Sequence, residues 1–156
     1  MKSNGSYITE EKKEELKEEL AHLSGEKRKE ILSNLEYAKS LGDLSENAEY
    51  HQAREDQGKL EARIATIQEI LRSSEVVIHS GGEEVTVGSY VTVVKTGEKD
   101  SKTYQMVGAH EADTSAGKIS NLSPMGLALF GKKKGDTASV KTPSVATVDY
   151  KITKVS

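Results

Sequence analysis

Asp43 and Glu46 are the residues best placed to do chemistry. They stand three apart in the run Gly42-Asp43-Leu44-Ser45-Glu46-Asn47-Ala48-Glu49-Tyr50. At the start of a helix that spacing lets both carboxylates point off one end. Oxygens so placed suit a hard cation such as Mg²⁺, which often takes only one or two carboxylates from a given protein segment. Two carboxylates are too few for a metal cage of their own, so the remaining ligands would have to come from a partner. The same Asp43-x-x-Glu46 spacing is also that of a capping box, in which Asp43 caps the helix and Glu46 reaches back to it. Local sequence alone favours this plainer role.

Basic residues form a second constellation. Lys27, Arg28 and Lys39 precede the acidic run and Arg54 follows it. Lys39 and Arg54 each lie a few residues from the turn, so they sit at similar heights on paired helices. The ordinary fate of such charges is a solvated face laced with ion pairs. Asn47 and Tyr50 flank the acids, where local packing or capping and a part in function are equally open readings, and His51 reads as a surface or packing residue. Lys132-Lys133-Lys134 reads as a solvated loop.

Composition removes other chemistries. The chain has no Cys, which excludes disulfides, thiolate zinc sites and cysteine nucleophiles, and its four His are scattered. The net charge is −3, but residues 1–78 carry 17 Asp/Glu against 12 Lys/Arg, and residues 79–156 carry 8 against 10. That balance argues against gripping nucleic acid by bulk electrostatics alone. No apolar run approaches the roughly 20 residues of a membrane span. Met1 to Thr9 lacks the apolar stretch of a signal peptide, which makes the cytoplasm the expected location.

The elements that must position the acids follow from composition and periodicity. Residues 9–74 contain no Pro, only Gly25, Gly42 and Gly58, and many Glu, Lys, Leu and Ala, all strong helix formers. Thr9 is the expected N-cap of a first helix, with Glu10 and Glu11 at its positive end. Leu16, Leu20 and Leu23 form an apolar stripe, Ser24-Gly25-Glu26 predicts a kink or break, and Ile31, Leu35 and Ala38 resume the stripe. Leu41-Gly42 should end this helix. A second helix should start at Asp43 and carry the seam Leu60, Ile64, Ile67 and Leu71. So short a turn makes the two helices antiparallel. About 30 residues give a rod of roughly 45 Å whose base buries Leu16, Leu20 and Leu23 against Leu60, Ile64 and Ile67. The tip has little apolar surface to bury.

The composition changes near Ser73 to Gly82, where Gly81-Gly82 predicts a turn or linker. Two domains are expected: residues 1–78, with the acidic tip at 42–47, and residues 79–156. Strands are predicted at 75–79, 89–95, 102–107, 117–121, 137–142 and 146–153, with a hairpin turn at Gly97 to Asp100. Ser123-Pro124 should open a short helix ending at Gly131. The class is α+β, a mostly antiparallel sheet with one short helix following the helical hairpin.

The run Gly42 to Glu55 resembles the tip signature of the GreA/GreB family of bacterial transcript cleavage factors, and is most similar to the GreA type. Thr103-Tyr104-Gln105-Met106-Val107-Gly108 is similar to that family's T-Y-x-I-V-G strand. Glu111-Ala112-Asp113, Ile119-Ser120, Ser123-Pro124, Leu129 with Gly131-Lys132, and Lys141-Thr142-Pro143 follow in the family's order. The resemblance runs from about Tyr7 to Val155.

The resemblance implies an antiparallel coiled-coil hairpin followed by an FKBP-like domain. It implies a monomeric factor whose partners are RNA polymerase, entered through the secondary channel, and the nascent RNA 3′ segment. Asp43 and Glu46 match the tip acids, which would share a Mg²⁺ with the polymerase and help stimulate hydrolysis of nascent RNA in backtracked complexes. The free chain would carry no cofactor and be no enzyme itself. Lys39, Arg54, Lys27 and Arg28 match an RNA-contacting basic patch. Ser123, Pro124 and Met125 match the polymerase-docking region. The chain departs from the family pattern at Lys29, where Pro is common. At Met125-Gly126-Leu127-Ala128-Leu129 the family's Arg is lost, and Ser144-Val145-Ala146-Thr147 replaces a Gly-Gly. Other readings are a channel-binding regulator that inhibits transcription or competes without stimulating cleavage, an FKBP-like prolyl isomerase, and a plain coiled-coil adaptor. The intact acid pair favours the cleavage factor over the regulator and the adaptor. An isomerase needs an aromatic-lined pocket, for which the second half offers only Tyr90, Tyr104, Phe130 and Tyr150.

Overall fold

The computed structural model describes residues 6–79, 81–144 and 146–156. They form two compact units. One is Lys13–Ser73; the other joins the described residues up to Lys12 with those of Ser74–Ser156. The first unit is the helical hairpin. Helix α1 (Glu10–His22) continues through a π-helical turn (Leu23–Lys27) into α2 (Arg28–Ser40), and α3 (Ala48–Ser73) returns. Cross-helix bonds pair Glu19 with Arg63, Arg28 with Glu61 and Ala38 with Asn47, so one helix ascends as the other descends.

Thr9 caps α1 as expected, its Oγ1 accepting from the Lys12 N–H at 3.2 Å. The break predicted at Ser24 to Glu26 is instead a wide helical turn, in which the Arg28 N–H reaches back to the Leu23 carbonyl. Leu23 and Ile31, on either side of this turn, both belong to the packed face of the hairpin. The hairpin core is Ile31, Leu35, Ala53, Leu60 and Ile64, with Leu20, Leu23 and Tyr50 packed against it. At the end of the α3 seam Ile70 is buried, while Leu71, the expected member, is half-buried.

In the other unit, β1 (Tyr7–Thr9) pairs in parallel with β2 (Glu75–Val77). A second sheet has the order β5-β4-β3-β7-β6, built from β3 (Tyr90–Lys95), β4 (Ser101–Val107), β5 (Lys118–Ser120), β6 (Thr137–Lys141) and β7 (Thr147–Val155). All its pairings are antiparallel except β4 with β5. The expected strands are thus present with ends moved by a residue or two. Strand β1 was not anticipated from sequence, because three residues are too few to display a period. Alternation along β3 sends Val91 and Val93 inward to meet Met106, Ile152 and Leu129 of α4 (Pro124–Leu129). Tyr7 and Val77 join that core.

Gly108 closes the family's strand motif where only glycine fits, since a Cβ there would lie 1.6 Å from the Tyr7 carbonyl oxygen. The Ser144 to Thr147 departure is closed by the Thr142 N–H bond to the Ala146 carbonyl at 2.9 Å, and its Val145 lies outside the described residues. Among the described residues, no helix is long and apolar enough to cross a membrane.

Candidate functional site

The loop between α2 and α3 carries the acids. Helix α2 ends with the Leu41 N–H on the Ala38 carbonyl at 3.2 Å, and Gly42 then takes a φ of 123°, a conformation that disfavours any side chain. Asp43 follows, and its Oδ1 accepts from both the N–H and the Oγ of Ser45, each at 3.0 Å.

The capping box is therefore not formed. An Asp side chain finds a donor two residues ahead as readily as it caps a helix, and here the local turn wins. Helix α3 begins at Ala48 instead and Asn47 caps it, with Oδ1 accepting from the Tyr50 N–H at 3.0 Å. The Asn47 Nδ2 donates across the hairpin to the Ala38 carbonyl at 2.6 Å. His51 adds a further tie, its Nε2 lying 3.2 Å from the Ser45 carbonyl oxygen.

Both carboxylates are thus left outside the helix. Residues Leu41 to Glu46 are all exposed. Asp43, Glu46 and Glu49 border an open hollow of about 350 Å³, together with Leu41, Asn47 and Ala48. The Ser45 N–H, and after it the Ser45 hydroxyl, hold the Asp43 carboxyl below its ordinary value, so it is ionised at neutral pH. Among the described residues, no three His, Cys, Asp or Glu gather closely enough to hold a metal ion. The oxygen chemistry of Asp43 and Glu46 fits a hard cation, but as a partial ligand set.

Both halves of the chain match family models: residues 6–76 match the transcription elongation factor N-terminal domain, and residues 80–156 match the C-terminal domain of GreA/GreB transcription elongation factors. The chain belongs to the GreA/GreB family of transcription elongation factors. It is 43% identical over 150 residues to transcription elongation factor GreA of Streptococcus sanguinis, covering 95% of this chain and 93% of the relative. Against the GreA of Streptococcus suis the identity is 45% over the same length and coverage. Similar solved structures include GreA factor homolog 1 of Thermus thermophilus, at 25% identity and a TM-score of 0.45, covering 98% of this chain and 99% of that one. The GreA/GreB factor of Nitrosomonas europaea is 25% identical with a TM-score of 0.43, covering 97% of this chain and 98% of that one.

The other residues singled out in this GreA/GreB chain divide clearly. Arg28 makes a two-pronged pair with Glu61 across the hairpin, at 2.9 and 2.8 Å, and Lys27 pairs with Glu30 at 3.0 Å. Both are half-buried. Lys39 and Arg54 are exposed; neither is ion-paired among the described residues, and Arg54 bonds only Gln57, at 2.9 Å. In the sheet unit, Ser123 caps α4 by accepting from the Gly126 N–H at 3.0 Å, and Pro124 occupies the first helical position. Met125 turns inward to the sheet core. Exposed on the short helix are Pro124 and Leu127, the latter at the position of the Arg that the resemblance leads one to expect, and Leu122 just before the helix is exposed too. Sequence reasoning also passed over Tyr37, Leu41 and Leu44, large apolar side chains exposed near the acids. Their signal is an apolar residue off the buried stripe in a segment otherwise rich in charge.

Proposed function

We propose that this elongation factor binds RNA polymerase through its secondary channel and stimulates the polymerase's own Mg²⁺-dependent endonucleolytic cleavage of nascent RNA in backtracked complexes. The new RNA 3′ end then lies in register and elongation resumes. The observation that carries this reading is the acid pair itself: two exposed carboxylates on the loop closing a helical hairpin, free of the helix cap and too few to bind a metal alone. Asp43 and Glu46 would hold Mg²⁺ jointly with the polymerase's own ligands. A cation so held supplies Lewis-acid stabilisation of the attacked phosphate and lowers the pKa of a bound water. Asp43 contributes a carboxylate already ionised and already oriented by Ser45. Lys39 and Arg54, which have no carboxylate partner among the described residues, are the cations available to RNA phosphates, whereas Lys27 and Arg28 would have to leave their partners first. Docking falls to the sheet unit, which we read as FKBP-like, at the Ser123 to Met125 region. The factor works as a cytoplasmic monomer and is inert alone.

The test uses a stalled, backtracked polymerase complex with labelled RNA. Wild-type factor should shorten the RNA from its 3′ end. Asp43→Ala should bind the polymerase equally but cleave on the order of 100-fold more slowly. Arg54→Ala should need more factor for the same rate. Cleavage by Asp43→Ala at the wild-type rate removes the acid mechanism. Binding by the wild type with inhibition and no shortening of the RNA establishes the non-cleaving channel regulator instead.

A further inference from the structure

The acids sit in a loop with almost no packing of its own, so something must fix where that loop stands on the helices. Asn47 is the side chain that meets both sides of it. Its Oδ1 accepts from Tyr50 at the start of α3, and its Nδ2 donates to Ala38 in the last turn of α2. These two partners also fix which way the amide points, since only Nδ2 can donate and only Oδ1 can accept. The bond to Ala38 spans nine residues and closes a ring around Leu41, Gly42, Asp43 and Glu46. The Ala38 carbonyl also accepts the Leu41 N–H at 3.2 Å, so the Asn47 amide is the second donor on an oxygen that has two lone pairs. It is also part-buried, unlike the bonds that hold Asp43.

We propose that Asn47 is the positioning residue of the acid tip: by strapping α3 to α2 it sets where Asp43 and Glu46 stand, and its amide nitrogen is the essential atom. This rests on the cleavage reading above. Capping alone would not require Asn, because Asp and Ser cap about as well. Asp has no donor for Ala38, and Ser has a single oxygen, one bond nearer the backbone, whereas the amide offers a separate donor for Ala38 and acceptor for Tyr50. Asp in its place would set a carboxylate oxygen against the Ala38 carbonyl.

Asn47→Asp and Asn47→Ser therefore separate the two roles, because both keep the cap and lose the strap. Five measurements are made on each, with Asp43→Ala in parallel for cleavage. Far-ultraviolet circular dichroism reports the helix, and polymerase binding reports docking; both should stay at wild-type values. The maximal cleavage rate at saturating factor should fall on the order of tenfold or more, the scale expected from a displaced reacting group. The Mg²⁺ concentration for half-maximal cleavage should rise. In the free protein, the Ser45 amide and Asp43 carboxyl resonances should shift and broaden in nuclear magnetic resonance spectra.

Wild-type rates together with unmoved tip resonances overturn the proposal. So does a fall in rate that merely tracks lost helicity or lost binding, since that is a structural role only. Should Asp43→Ala cleave normally, the cleavage reading has failed by itself. The positioning claim is then decided by the tip resonances of the free protein: shifted, it stands; unmoved, it is lost.

Discussion

In the sheet unit Val91, Met106, Leu129 and Ile152 are wholly buried within one cluster. In the hairpin loop every residue from Leu41 to Glu46 is exposed, and Asp43 is held by two bonds from a single neighbour. The first arrangement is stable because many side chains share the burial of apolar surface, each making small contributions in a close-packed interior. The second has no such surface, and its geometry rests on a few polar bonds whose net value in water is modest. The residues that shape this fold and the residues proposed to act are therefore different sets. A protein built this way can lose function at its tip with little change in stability.

Substitution in each region should separate the two. The largest effect is expected at the core. Leu129→Ala removes a fully buried side chain and should cost about 2–5 kcal/mol by denaturant or thermal unfolding. The folded fraction should still cleave, and a variant that stays folded but loses cleavage would break the division. An intermediate effect is expected at Arg28. Arg28→Ala and Glu61→Ala should each lower the melting temperature by less than the Leu129 change. Their coupling in a double-mutant cycle should weaken at 1 M salt, where the screening length shrinks to about 3 Å, close to the separation of the pair itself. Cleavage at saturating factor should hold, since Arg28 is engaged within the hairpin.

The smallest effect is expected at Ser45. Its bonds depress the Asp43 carboxyl, so their stabilising contribution is present above the ordinary carboxylate pKa and is lost as pH falls through the lower folded value. Ser45→Ala removes the hydroxyl and keeps the backbone donor. The Asp43 titration should move part-way back toward its ordinary range by nuclear magnetic resonance, with a correspondingly small loss of stability at neutral pH. An unmoved titration shows that the hydroxyl contributes nothing.

The same division explains what could be read from the sequence. Long periodic segments declare themselves, and the two helical arms and five strands of the larger sheet were legible from apolar spacing. So were the Thr9 and Ser123 caps, because each is a small polar residue just before a helical run. The tip acids were legible as a pair, but their local geometry was not. Asp43-x-x-Glu46 and Asn47-x-x-Tyr50 both offer a capping start within four residues, and sequence cannot say which side chain takes the turn and which the helix. The π turn was read as a kink or break because Ser24-Gly25-Glu26 interrupts the apolar stripe, and a local widening of a helix leaves no mark in the apolar spacing. The patch residues divide by partner, since a carboxylate 33 positions away claims Arg28 and none among the described residues claims Lys39. That distinction belongs to the pairing of the helices, which periodicity does not reveal residue by residue.

The parallel ladder of β1 with β2 has a consequence for how such a chain can vary. Neighbouring parallel strands cannot be joined by a tight turn and require a long crossover, and here the entire hairpin is that crossover. It is thus a connection the sheet unit needs in some form, but one whose length the ladder does not prescribe. Removing matched heptads from both arms would draw the acids toward the hairpin base by about 10 Å per heptad and leave the Tyr7-to-Val77 ladder untouched. Reach can be tuned in this architecture through the length of the two arms alone.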